Sequence, residues 1–106
     1  MSARYRIAPT FTFQEDIERL EEHIIQRELA SNTPDDACLF RFRAAVERGM
    51  SILSFAPHTC RRCESQREFR ELIIPFGRGR CVALFAVRDP DVLLLAARDQ
   101  HEHDYR

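Results

Sequence analysis

The amino-acid sequence predicts a single α+β domain over residues 1–106, an antiparallel helical hairpin packed on an antiparallel sheet in the order β-α-α-β-β-β. Three observations carry that expectation. Apolar residues recur at helical spacing through the first half of the chain. Strand-like apolar runs punctuated by glycine and proline fill the second half. A composition of 44% hydrophobic and 31% charged residues lies far from the signature of disorder, and a chain of this length closes one core without disulfides or metals.

Arg4 to Ala8 alternates as a short opening strand does, and Pro9 removes a backbone donor and ends it. Thr12 with Glu15 forms a capping-box pattern. Phe13, Ile17, Leu20 and Ile24 then share one helical face, which places a first helix from about Phe13 to Leu29. After the Ser31-Asn32 break, Thr33-Pro34-Asp35-Asp36 offers an N-cap, a proline at the first helical position and two acids at the positive dipole end. Leu39, Phe42, Val46 and Leu53 form the stripe of the second helix, and Gly49 on that face predicts a close approach to the first. Pro57 stops it, and His58 to Gln66 reads as a polar surface connection.

Phe69 to Phe76 and Arg80 to Arg88 flank the hairpin glycines of Gly77-Arg78-Gly79, and Asp89-Pro90-Asp91 turns the chain into Val92 to Ala97. The expectation is a three-strand antiparallel meander. Val92 to Ala97 is apolar on both faces, which places it centrally with the N-terminal strand as a candidate neighbour. Phe69, Phe76 and Phe85 are expected in the core and His23 on the surface.

All 16 cationic side chains are arginine, rigid forks suited to carboxylates and phosphates, although the net charge is only −1. Their distribution is uneven: residues 61–88 carry seven arginines against three glutamates, and residues 89–106 two arginines against five acids. No stretch approaches the ~18 apolar residues of a membrane span, and Met-Ser-Ala-Arg-Tyr-Arg lacks the apolar core of a secretory signal. The expected location is the cytoplasm. Reducing conditions there argue against disulfides among Cys38, Cys60, Cys63 and Cys81. Cys60-Arg61-Arg62-Cys63, even with His58 or Cys81, is a weak zinc signal, so no metal and no cofactor are expected. His101-x-His103 reads as a solvated pair.

The block Arg70-Glu71-Leu72-Ile73-Ile74-Pro75-Phe76-Gly77, the strand Val82-Ala83-Leu84-Phe85 and the ending Ala97-Arg98-Asp99-Gln100-His101-Glu102-His103-Asp104-Tyr105 resemble ParE/RelE toxins, the ParE branch in particular. Asp99 departs from that branch, which often has histidine there. The resemblance implies a type II toxin silenced by a cognate antitoxin whose C-terminal segment wraps the helices and sheet within a higher-order complex. It implies one of two targets: DNA gyrase, inhibited by binding, or ribosome-bound mRNA, cut by an endoribonuclease. A scaffold that binds an antitoxin without toxicity is a third reading.

Metal-independent RNA cleavage needs a base, an acid and cations for the phosphorane charge. The candidates are Arg61, Arg62 and Arg98 for charge and His101, His103 or Tyr105 for proton transfer. The acidic balance of the tail and the absence of lysine weigh toward the gyrase-type binder. Arg61, Arg62, Arg67, Arg70, Arg78, Arg80 and Arg98 are then the candidate surface for target or antitoxin. The bland alternative is a solvated face paired with Glu64, Glu68 and Glu71.

Overall fold

The computed structural model of the chain describes residues 4–102, 104 and 105. Five strands and two helices follow one another as β1 (Arg6–Pro9), α1 (Phe11–Leu29), α2 (Cys38–Phe55), β2 (Arg61–Arg62), β3 (Arg70–Phe76), β4 (Gly79–Arg88) and β5 (Asp91–Asp99). They build a mixed sheet in the order β1-β5-β4-β3-β2. The β3-β4-β5 meander is antiparallel, as expected, whereas β1 joins the outer edge of β5 in parallel. The helices run antiparallel on one face, tied by Arg43 Nε to Glu21 at 2.7 Å and by Arg27 beside Cys38.

α1 begins two residues before the expected start. Thr10, in extended backbone, accepts the Phe13 N–H at 3.2 Å, so Thr10 is the cap and Thr12 lies inside the helix. α2 begins later, at Cys38. Ala37 stands at its N-cap with no side-chain cap, so Thr33 does not cap it and neither acid enters its first turn; Asp35 instead receives the Ala37 N–H and is held by Arg41, with residues 36–37 in a turn ahead of the helix. Gly49 also departs from expectation. A Cβ there would meet Leu72 and Ile74 at 3.0–3.2 Å, so this glycine lets α2 approach β3 and not α1.

The core under the helices gathers Phe13, Leu20, Ile24, Phe42, Val46 and Leu53 with Ile74, Cys81, Ala83, Phe85, Val92 and Leu94. Phe76 is half-buried against Phe42, and Phe69 belongs to a second, smaller cluster with Cys63, Leu84 and Ala96 on the opposite sheet face. His23 is exposed. The strand buried on both faces is β4, whose residues 81–86 are all inaccessible. β5 lies one place out, between β1 and β4, where buried Val92 and Leu94 under the helices alternate with half-buried residues on the other face. The connection after α2 is more ordered than its polarity suggests. Pro57–Thr59 forms one 3-10 turn, and Arg61 and Arg62 pair with Glu71 and Arg70 to extend the sheet.

β1 ends opposite Leu94, which leaves the outer edge of β5 without a strand neighbour just where the sheet is covered by α1. α1 supplies the missing partners. Thr10 donates its N–H and its hydroxyl to the Leu94 carbonyl, and the buried Asp16 carboxylate accepts the Ala97 N–H at 2.9 Å. Arg19, 3.8 Å from Asp16, balances that buried charge and reaches the Ala97 carbonyl. Asp16→Ala should therefore lose about 1–3 kcal/mol of stability, since it leaves a buried N–H unpaired. Asp16→Asn keeps an acceptor and should lose less. Chemical denaturation of both variants measures this, and equal stability of Asp16→Ala and the parent would contradict the edge-capping role.

Candidate functional site

The face of the sheet away from the helices carries the site, and a bulge in β5 aims one of its main residues there. Leu84 opposes Ala96 while Phe85 opposes Leu94, so Leu95 is an extra residue on β5. Side chains alternate along a strand, and one inserted residue reverses the alternation beyond it. Val92 and Leu94 consequently face the helices, whereas Ala96 and, two residues on, Arg98 face the opposite side. Without the bulge Arg98 would point into the core.

On that side Arg98 meets Glu71 of β3, whose side chain is only 8% exposed. Glu71 accepts from Arg61 at 3.0 Å, lies 3.7 Å from Arg98, and accepts the Tyr105 hydroxyl at 2.7 Å. Arg98 also stacks over the Tyr105 ring, 5.2 Å from its centre, and donates to the Glu102 carbonyl at 2.7 Å. Its Nε is buried and has no hydrogen-bond partner among the described residues. Arg62 donates to the Arg67 carbonyl at 2.9 Å and pins the loop between β2 and β3.

These groups line one cleft of about 500 Å³, bounded by Arg61, Arg62, Arg67, Arg98 and Tyr105, with Glu64 and Asp104 also on its walls. Burial, then the hydrogen bond to Glu71, pushes the Tyr105 phenol far above the ordinary tyrosine range. It is a protonated donor at neutral pH.

Five sequence candidates therefore converge: Arg61, Arg62, Arg67, Arg98 and Tyr105. Others do not. Arg70 lies on β3 but turns to the Cys60 carbonyl at 2.7 Å, where it braces the chain entering β2. Arg78 sits in the β3-β4 turn and lines a separate groove with Arg27 and Arg41, and Arg80 is exposed on the same hairpin. His101 is exposed and outside the cleft. His103 lies outside the described residues. Of the three glutamates expected to pair with the arginines, Glu71 does so among the described residues. Its importance as a buried hub was not foreseen. Its alternation with Leu72 and Ile74, which puts it on the same face of β3 as Ile73, was the available signal. Among the described residues, no three or more His, Cys, Asp or Glu side chains come together as a metal site, and no helix is long and apolar enough to cross a membrane.

No family model matches the chain, and no curated protein matches it. Among solved structures, a chain in the crystal structure of the toxin-antitoxin complex RelBE2 from Mycobacterium tuberculosis is similar, with a TM-score of 0.60 and 17% identity. The match covers 96% of this chain and 98% of that one. A likeness at this identity shows the fold, which is RelE/ParE-like.

Tyr105→Phe removes the donor to Glu71, and the pH dependence of the loss follows from linkage. The fold favours the neutral phenol, so its contribution is complete below the ordinary tyrosine value of about 10 and declines as pH rises toward the elevated folded value. Parent and Tyr105→Phe should differ in stability by a constant amount near neutrality and converge in strongly alkaline solution. Urea midpoints across that pH range measure it, and a difference that grows with pH would contradict the assignment.

Proposed function

We propose that this chain is the toxin of a type II toxin-antitoxin pair, acting in the cytoplasm, and that its arginine cleft docks onto a macromolecular target. DNA gyrase is the target that the resemblance to the ParE branch implies. The observation that supports docking over catalysis is that the charges of the cleft are fixed. Arginine does not titrate in the working range, Tyr105 is held protonated, Glu71 is engaged by two guanidiniums and a phenol, and no histidine lines the cleft among the described residues. A fixed positive rim over a buried anchor suits recognition of an acidic surface. The RelBE2 chain comes from a toxin-antitoxin complex, which supports an antitoxin as the silencing partner of this chain.

One observation favours the ribonuclease reading: Arg61, Arg62, Arg98 and Tyr105, the groups named for phosphorane charge and proton delivery, do meet in one place. Purified chain assayed in parallel on gyrase supercoiling and on ribosome-bound mRNA separates the two. The docking reading expects supercoiling inhibition that falls about tenfold or more in Arg61→Ala/Arg67→Ala and is unchanged in His101→Gln. Codon-phased mRNA cuts with no effect on supercoiling would sink it. Neither activity, with antitoxin still bound, would identify a non-toxic scaffold.

A further inference from the structure

Cys60 and Cys63 form a sequence motif to which docking gives no role, although Cys63 lines the cleft and the residues between them, Arg61 and Arg62, supply two of its guanidiniums. Those two residues are the whole of β2. In extended chain, side chains three positions apart point to opposite faces. Cys60 accordingly packs against the core beneath the helices, and Cys63 is buried in the cluster on the other side of the sheet. Three residue steps of extended chain also separate the two Cα atoms by about 10 Å, whereas a disulfide requires about 4.4–6.8 Å. A Cys60–Cys63 disulfide and a paired β2 exclude each other.

We propose that Cys60 and Cys63 are a redox modification site, and that their disulfide dissolves β2 and withdraws Arg61 and Arg62 from the cleft. The reaction is exchange with a low-molecular-weight disulfide. One cysteine, as thiolate, attacks a reagent sulfur and expels one thiol; the second attacks the resulting mixed disulfide and expels the other. The two cysteines lose two electrons and two protons, and the reagent becomes two thiols. While β2 is paired, both flanking thiols are held back: Cys63 is 4% exposed and lies 3.5 Å from the Ser65 hydroxyl, and partial burial raises the thiol of the half-buried Cys60. Exchange therefore follows opening of β2, a two-residue edge strand of the kind that opens before the rest of a domain. Opening stays local because Glu71 keeps Arg98 and Tyr105 when Arg61 leaves. Cys38, at the start of α2, and Cys81, buried in β4 with its thiol pushed up to about 12, lie on other elements and take no part.

The loss of docking rests on the function proposed above; the disulfide and the loss of β2 do not. The test is full-length chain equilibrated over a series of oxidised-to-reduced glutathione ratios, read by peptide mapping, backbone amide exchange and gyrase supercoiling. The expected result is a Cys60–Cys63 link, amides of residues 61, 63 and 71 exchanging about tenfold or more faster, and loss of supercoiling inhibition. Cys60→Ser and, independently, Cys63→Ala should each abolish the link and the exchange change. Absence of the link at every ratio, or a link with unchanged exchange, overturns the proposal. A link with faster exchange but full inhibition supports the redox site and overturns the assignment of Arg61 and Arg62 to docking.

Discussion

A carboxylate taken out of water must be compensated by opposite charge and hydrogen bonds or it will not stay ionised. Glu71 is such a carboxylate, and the rest of the site is arranged around it. Its partners come from three separate places: Arg61 from β2, Arg98 from β5 and Tyr105 from the tail. Arg61 lies far in sequence from the other two. The short β2, the end of the meander and residues 104–105 are thereby fixed to one point, and the guanidiniums that face solvent inherit that order. An arginine held in place loses less side-chain entropy when it binds a partner than a free one does.

The helices contribute to the same point without touching the cleft. Asp16 and Arg19 of α1 take over the edge of β5 where β1 stops, and Arg19 continues to Glu102 at 3.0 Å. Glu102 in turn accepts the Asp99 N–H and, through its carbonyl, the Arg98 guanidinium. The sequence of contacts Asp16, Arg19, Glu102, Arg98, Glu71, Arg61 passes around the end of β5 from the helix layer to the opposite face. The bulge at Leu95 is its geometric condition, because it turns Arg98 to the cleft while leaving Val92 and Leu94 in the core.

Much of this was legible in the residues. The apolar stripes of both helices, the Gly77-Arg78-Gly79 turn and the three long strands follow from period and turn chemistry, and five cleft residues were among the candidates. What escaped had physical reasons. A two-residue strand such as β2 has no period to detect, and its polarity mimics a loop. A bulge is invisible to an alternation rule because the run Val92 to Ala97 is apolar at every position, so neither register is penalised. Gly49 could be placed on a buried face but not against a particular neighbour. Thr10 lost to Thr12 as the expected cap because Glu15 completes the box pattern, yet Thr10 has the hydroxyl that also reaches the β5 carbonyls.

Glu71 and Tyr105 thus act as one unit in ordering the cleft. A double-mutant cycle on folding stability with Glu71→Ala, Tyr105→Phe and the pair tests it most directly. A coupling of about 1 kcal/mol or more is expected, since a charge-assisted, part-buried hydrogen bond is broken by either change. Additive losses, with coupling indistinguishable from zero, would contradict it.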